Sequence, residues 1–219
     1  GKVGKQQIIK ISSRDPEPPP ISYVKVSGGI FLDMTIHDFD MVRYLSGAEV
    51  EEVYAEGSIT VDPAIGEAGD VDTAVITLKL TNGATAVIDN CRACCYGYDQ
   101  RAEVFGDKGC VAISNDSDSN AVYSNKDGVT AEKPMFFFLE RYMTAYATEV
   151  DEFVEAIVND TETPVTAQDG LKPVLIGLAA TKSVKEHRPV KVDEIRKQYN
   201  LKTFEYFLSK VIASYSLII

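Results

Sequence analysis

Apolar and polar residues alternate along several short segments in the first half of the chain. A period of two predicts β-strands, because successive side chains of a strand point to opposite faces. The asparagine–glycine pair at 82–83 adds the signal of a two-residue hairpin turn. No helical pattern separates most of these segments, so we expect a largely antiparallel sheet. The predicted strands span residues 5–13, 50–61, 71–80, 84–93, 98–105 and 110–114.

Apolar residues recur at helical spacing over 29–45 and 137–158, and from Thr166 or Gln168 to about Lys185. Four prolines between Pro16 and Pro20 predict an extended loop before the first of these helices. Residues 201–219 suit either an amphipathic helix or a strand. The pattern as a whole predicts an α+β fold, with an open, largely antiparallel (mixed) β-sheet and helices packed on one face.

Composition limits the classes of partner. The chain has 219 residues and a formal net charge of −11, with 45% hydrophobic and 25% charged residues. This is the composition of a globular protein, and its length suits one large domain or a domain plus a tail. The acidic balance argues against nucleic acid and anionic membranes as partners. No run approaches the roughly 20 apolar residues of a membrane span, and no apolar targeting segment opens the chain, so we expect a cytoplasmic protein.

Several well-known motifs are missing. The sequence has no glycine-rich dinucleotide or P-loop motif, no serine nucleophile elbow and no zinc-binding H-E-x-x-H helix. Cys91 and Cys94 match the letters C-x-x-C, but positions three apart on a strand point to opposite faces and no second cysteine pair completes four ligands. We therefore expect no metal site, and interpret the four cysteines as small buried residues of a reduced, intracellular protein.

The most informative segment follows the glycine pair Gly28–Gly29. Asp33 and His37 lie four residues apart, so on one helix both side chains reach the same face. A carboxylate at that distance can orient an imidazole that acts as a general base towards an alcohol. The competing interpretation is an ion pair on a solvated helix face.

Further segments form a pattern with this one. They are S-R-D-P at 13–16, the glycine pair with D-x-x-x-H-D-x-D at 33–40, Y-G-Y-D at 96–99 with E-V-F-G at 103–106, F-L-E-R-Y at 138–142 with A-Y at 145–146, and V-T with D-G-L over 165–171. Taken together, these segments resemble the C-terminal domain of the family that groups glucose-fructose oxidoreductase, inositol 2-dehydrogenase and related NAD(P)-dependent sugar dehydrogenases. The resemblance covers residues 1–192 and is strongest to the inositol 2-dehydrogenases.

The resemblance implies a mechanism and its residues. His37 would take the hydroxyl proton while the carbinol hydrogen leaves as hydride to NAD. Asp33 would orient His37 and bind a neighbouring hydroxyl. The implied substrate-binding residues are Tyr96, Tyr98, Arg14 and Asp15, although turn and proline-loop chemistry explains the last two equally well.

The chain departs from the family pattern in two places. The nucleotide-binding half, which would hold most of the NAD and carries a catalytic lysine, is absent from this sequence. Glu132-Lys133-Pro134 repeats the letters of the lysine motif far downstream, and we interpret it as a loop before a helix. His187 stands where the family usually has glycine, so that helix must end in a left-handed conformation or end differently.

These observations predict a substrate-binding and oligomerisation domain over 1–192 and a C-terminal extension over 193–219, possibly helical. The expected function is the substrate-binding half of an NAD-dependent inositol 2-dehydrogenase-like enzyme, inactive in isolation. A small polyol is the expected substrate, and the open sheet face is expected to form a homo-oligomer. The alternatives are a non-catalytic binding or assembly module and a different polyol or sugar substrate.

Overall fold

A computed structural model describes residues 1–199 and contains a seven-stranded sheet with the order β6-β5-β1-β4-β3-β2-β9. Only β1 and β4 pair in parallel; the other neighbours within this sheet are antiparallel. The structure thus confirms the mixed, largely antiparallel sheet. The strands are β1 Gln6–Arg14, β2 Val50–Ser58, β3 Thr73–Leu80, β4 Thr85–Cys91, β5 Asp99–Gly106, β6 Gly109–Ile113 and β9 Val190–Lys191, and a separate hairpin pairs β7 Val122–Asn125 with β8 Gly128–Ala131.

Helices cover one face of the sheet. The long helix α7 packs on β2 and against α3, and α3 packs on β1. The helices are α1 Ile21–Ser27, α2 Ile30–Asp33, α3 Thr35–Ser46, α4 Pro63–Glu67, α5 Phe138–Arg141, α6 Met143–Val158, α7 Ala167–Glu186 and α8 Val192–Gln198. Thr166 and Asp169 form a reciprocal capping box at the start of α7, which explains why this helix begins there.

The core lies between the sheet and these helices. Alternate residues of the central strands, among them Ile9, Ile76 and Ile88, are fully buried and meet Phe39 of α3. The opposite face is open: Ile8, Tyr54, Val75 and Phe105 are 39%, 39%, 51% and 42% exposed. One sheet face therefore forms the core, while the other presents apolar side chains to solvent.

The predicted helix over 29–45 is interrupted, and this corrects the sequence-based interpretation. α2 ends at Asp33 and α3 begins at Thr35, with Met34 between them at φ −104° and ψ −61°. The Thr35 hydroxyl oxygen lies 3.3 Å from the carbonyl oxygen of Ile30 and donates its proton to Asn90 Oδ1 at 2.6 Å, so a buried tertiary hydrogen bond accompanies the break. Asp33 and His37 therefore lie on two successive helices.

Several short elements had no clear periodic signal and were not predicted: α1, α4 and the two strands of the β7–β8 hairpin. The predicted boundary at 192 falls at the start of α8, whose Ile195 is buried against the core. The C-terminal extension otherwise remains a prediction, because residues 200–219 lie outside the described residues. Within residues 1–199, no helix is both long and apolar enough to cross a membrane.

Candidate active site

A cavity of about 1050 Å³ opens beside the start of α3, towards the β1–β5–β6 side of the sheet. Its volume is at the upper end of the range of small-molecule sites. The proline-rich loop after β1 forms one wall, and the segment 136–146 with its aromatic side chains forms another. Four of the six predicted site residues line it: Asp15, Asp33, His37 and Tyr98.

Asp33 is held at the cavity by two donors from distant parts of the chain. Arg92 Nη1 donates to Asp33 Oδ2 at 2.7 Å, and the Tyr23 hydroxyl donates to Asp33 Oδ1 at 2.6 Å. Arg92 Nη1 also lies 3.7 Å from Asp15 Oδ2. Both oxygens of Asp33 are thus engaged, and its carboxylate is fixed at the cavity wall.

His37 presents its imidazole to solvent at the cavity. Among residues 1–199, no hydrogen bond or ion pair joins it to Asp33, whose oxygens already bind Tyr23 and Arg92. The imidazole is therefore accessible to a ligand. That Asp33 orients His37 remains a prediction: in this arrangement it would require a ligand, or a shift of Asp33, to connect the two.

Two consecutive glycines set the direction of α2 and hence the place of Asp33. Gly28 and Gly29 have φ values of 91° and 84°, which residues with a Cβ rarely adopt. A Cβ on Gly29 would also lie 2.8 Å from Asp70 Oδ1, the atom that accepts the backbone N–H of Ile30 at 3.1 Å. Asp70 can approach the start of α2 this closely because position 29 lacks a side chain.

A third carboxyl group lines the cavity from α3. Asp38 is 5% exposed and accepts a hydrogen bond from Asn90 Nδ2 at 2.8 Å, and Asn90 in turn accepts one from the Thr35 hydroxyl at 2.6 Å. Burial raises the pKa of Asp38 to about 7, with smaller contributions from Asp15 and Asp89, and Asn90 opposes this rise. Burial likewise raises the pKa of Asp15 to about 6, although Arg92 lowers it.

The raised pKa of Asp38 predicts a change of stability with pH. An aspartate of ordinary pKa near 3.9 in the unfolded chain and about 7 when folded makes the protein less stable as pH rises through that interval, because folding must then bury a charge. We expect Asp38→Asn to raise the free energy of unfolding at pH 8 by up to about 4 kcal/mol, at about 1.4 kcal/mol per pKa unit, and to change it little at pH 4.

Urea denaturation of both proteins across this pH range measures the effect. Asp40→Asn is a matched control, since Asp40 lies on the same helix with a side chain 52% exposed. Parallel stability–pH curves for the native chain and Asp38→Asn would contradict the assigned burial of charge.

Tyr98 reaches the cavity because the backbone at Gly97 packs closely against the backbone at Pro134 and Met135. Gly97 has φ 125°, and a Cβ there would lie 2.8 Å from the carbonyl oxygen of Pro134. The backbone N–H of Tyr98 donates to the carbonyl of Met135 at 3.0 Å, and its ring packs edge-on to Tyr142. Burial raises the pKa of Tyr98, so its hydroxyl stays protonated and can donate to a ligand.

The structure places Arg14 and Tyr96 outside this cavity. Arg14 lies on the open sheet face, where it donates to Asp89 Oδ1 at 2.9 Å and to the Tyr96 hydroxyl at 3.2 Å. That hydroxyl donates to Asp99 Oδ2 at 2.6 Å. Burial opposes the ionisation of Asp99, but Arg101, Tyr96 and Asn115 outweigh it and lower its pKa to about 2. This charged network joins three strands and is separate from His37.

The cysteines differ from the expectation of four buried residues. Cys94 is buried and Cys91 half-buried, but Cys95 and Cys110 are exposed, because one lies in the turn after β4 and the other on the edge strand β6. All four are free thiols. Within the described part of the chain, no three His, Cys, Asp or Glu side chains are grouped so that they could hold a metal ion.

Arg92 is the residue that sequence reasoning missed. It stands between two cysteines, in a segment assigned to the end of a strand, and its partners Asp15 and Asp33 are 77 and 59 positions away. One signal was present: a cation within an otherwise small and apolar run at a strand end needs a carboxylate partner if it is buried.

A family model described as the GFO/IDH/MocA C-terminal domain matches residues 1–112. The chain is 50% identical over 195 residues to the myo-inositol 2-dehydrogenase of Thermotoga maritima, and the match covers 89% of this chain and 58% of that protein. It is 43% identical to the inositol 2-dehydrogenase of Rhizobium meliloti, with 88% and 58% covered. The chain thus spans less than two thirds of these curated relatives.

A solved structure also matches most of this chain but only part of its own length. The scyllo-inositol dehydrogenase from Lactobacillus casei, with bound cofactor NAD(H) and scyllo-inositol, superimposes with a TM-score of 0.79 at 30% identity. The match covers 88% of this chain and 58% of that one. In this relative, the fold described above therefore forms one part of a longer chain.

Proposed function

Because this chain belongs to the GFO/IDH/MocA C-terminal domain family, we propose that it is the substrate-binding half of an NAD-dependent oxidoreductase. The proposed reaction oxidises a ring hydroxyl of myo-inositol, or of a related polyol or sugar, to a ketone. The observation that carries the proposal is the convergence of Asp33, His37, Asp15 and Tyr98 on one cavity. Carboxylates that accept and a phenol that donates hydrogen bonds suit a ring that carries a hydroxyl on every carbon.

In the proposed reaction, His37 takes the proton of the reacting hydroxyl through a ring nitrogen as the carbonyl double bond forms. The hydrogen on the same carbon would leave as hydride, with its electron pair, and NAD when bound would supply the acceptor for it. His37 is exposed, so it returns the proton to solvent after turnover. Asp33 accepts a hydrogen bond from a neighbouring hydroxyl and places the ring against His37, while Asp15 and Tyr98 contact other hydroxyls.

The chain's own residues fit the polyol better than the dinucleotide. Its sequence contains no G-x-G-x-x-G loop, the usual cradle for the pyrophosphate at a helix start. We therefore propose that NAD is bound mainly by a nucleotide-binding domain outside this sequence. The relative with NAD(H) and scyllo-inositol, of which the chain matches 58%, supports this division.

A fusion enzyme tests the proposal. It joins this chain to the part of the Thermotoga maritima relative that precedes the matched region. We expect the fusion to reduce NAD with myo-inositol, measured as absorbance of NADH, and the chain alone to produce none. NADH from the chain alone would overturn the division of labour. A folded fusion that binds NAD yet oxidises no polyol would favour the alternative of a non-catalytic binding or assembly module.

We also propose that the open sheet face associates with a second copy of the chain. Apolar side chains on four of its strands are partly exposed there, including Ile8 directly opposite Phe105. Such a face is typical of an interface rather than of a solvated sheet. A monomer by light scattering at micromolar concentration would contradict this.

We propose that the protein acts in the cytoplasm. The four cysteines are free thiols, which is typical of proteins in a reducing compartment. Recovery of the native protein from an oxidising compartment in cell fractionation would contradict this location.

A further inference from the structure

We propose that Arg92 is a positioning residue of this cavity, which holds Asp15 and Asp33 in the arrangement that a polyol meets. The polyol part of this inference rests on the proposed function. Arg92 itself follows the last residue of β4, whereas Asp15 begins the proline-rich loop and Asp33 ends α2. One guanidinium therefore connects three segments that form the site.

The geometry of Arg92 leaves it few other roles. Its backbone N–H donates to the carbonyl of Asp72 at 2.8 Å, which fixes the start of the side chain. Its side chain is 3% exposed, and Nη1 is 2.7 Å from Asp33 and 3.7 Å from Asp15. Nε and Nη2 are buried and have no hydrogen-bond partner among the described residues. The interactions of this charge are thus directed at the two carboxylates.

Stability alone does not account for such a residue. Removing a guanidinium from water costs more than a single good ion pair usually returns, so a buried ion pair is a weak source of stability. A guanidinium is planar and permanently charged, so it holds the carboxylate oxygens that it contacts in a fixed orientation. Asp33 gains that orientation from Arg92 and Tyr23, on opposite oxygens.

Arg92 also sets the charge of the site. Asp15 interacts electrostatically with Arg92, Asp33, Asp38 and Tyr98, and among these four groups Arg92 is the cation. Burial raises the pKa of Asp15 to about 6 and Asp33 adds to this, while Arg92 lowers it. Without Arg92, the pKa of Asp15 must rise further above about 6. A larger fraction of Asp15 is then protonated near neutral pH, where the ionised carboxylate should accept hydrogen bonds from the polyol.

The test compares Arg92→Met with Arg43→Met in the full chain. Arg43 is a suitable control because it is also largely buried and pairs with several carboxylates, Asp40, Glu49 and Asp169, but lies outside the cavity. NMR of chain labelled with ¹³C at the aspartate carboxyl carbons follows Asp15, assigned with Asp15→Asn. We expect the pKa of Asp15 to rise by at least about 1 in Arg92→Met, as for loss of a nearby opposite charge, and to stay unchanged in Arg43→Met.

Kinetics of the fusion enzyme supply the second readout. Arg92→Met should lower kcat/KM for myo-inositol at least about tenfold, with the KM for NAD unchanged, because only the polyol side is displaced. Arg92→Lys keeps the charge without the planar fork, so it should fold if the methionine variant does not, keep the pKa of Asp15 near its native value, and still lose several-fold in kcat/KM.

The outcomes separate the two proposals. An unchanged pKa of Asp15, or native kcat/KM in a folded Arg92→Met or Arg92→Lys fusion, overturns the positioning role while the function stands. An inactive native fusion with the expected rise in the pKa of Asp15 overturns the polyol function, and leaves Arg92 as the group that fixes the two carboxylates.

Discussion

Replacing His37 with alanine is expected to lower kcat/KM of the fusion enzyme for myo-inositol by about 10³-fold, within the usual range for loss of a general base. His37 is exposed at the cavity and binds no other described side chain, so its removal takes away the proton acceptor without leaving a buried partner unsatisfied. The KM for NAD and the melting temperature should therefore stay close to the native values. Initial rates of NADH formation at varied myo-inositol measure the effect.

The chain offers a matched control, since it contains only two histidines. His187 is exposed at the end of α7 and adopts the left-handed conformation, the first of the two alternatives for this position, with φ 49° and ψ 45°. His187→Ala should leave kcat/KM unchanged. Equal losses in the two variants, or none in His37→Ala, would remove His37 from the mechanism.

Replacing Asp72 with alanine is expected to lower the free energy of unfolding at pH 7 by about 3 kcal/mol. Asp72 is fully buried, and its carboxylate accepts the backbone N–H groups of Thr60, Val61 and Asp62 at 2.8, 2.9 and 3.0 Å. These three donors shape the segment between β2 and α4. Alanine would remove the carboxylate that accepts these three backbone N–H groups.

The pH dependence gives this prediction a second test. Burial acts to raise the pKa of Asp72, but the three backbone donors outweigh it and hold the pKa below its ordinary value. The stabilisation is therefore complete above the unfolded pKa of about 3.9 and is lost as pH falls through the lower folded value. The difference between native and Asp72→Ala should shrink below pH 4 in urea denaturation.

Asp127→Ala is a suitable control for that measurement. Asp127 lies in the β7–β8 turn with its side chain 69% exposed, so the change should cost less than about 0.5 kcal/mol. A native-like stability of Asp72→Ala at pH 7 would show that the three N–H groups find other partners.

Most of the sheet could be predicted from the sequence, because one buried face makes residues of the central strands β1, β3 and β4 alternate between buried and more exposed positions. β3 illustrates this: Ala74, Ile76, Leu78 and Leu80 are buried while the residues between them are not. The break at Met34 could not be predicted, because it leaves the apolar periodicity intact and its Thr35 hydroxyl bonds to Asn90, 55 positions away. The burial of Ile195 in the core could not be predicted either, because it depends on contacts with residues distant in the chain.

Four of the six predicted site residues line the cavity, but the sequence did not distinguish them from neighbours that face the other side of the sheet. Arg14 and Asp15 are adjacent in the chain, but Arg14 ends β1 on its open face while Asp15 turns into the cavity. Strand alternation separates such neighbours, and the sequence alone did not show where β1 ends. Arg92 was missed for the opposite reason, since its partners are distant in sequence.

Transfer of isotope tests the central claim most directly. The fusion enzyme is supplied with NAD and myo-inositol that carries deuterium on carbon 2, the position named in the relatives, and the reduced cofactor is analysed by mass spectrometry. We expect one deuterium on the nicotinamide ring for each ketone formed, and a rate of deuterium transfer lowered about 10³-fold in His37→Ala under the same conditions. Reduced cofactor without deuterium, or no reduction by a folded fusion that binds NAD, would contradict the account.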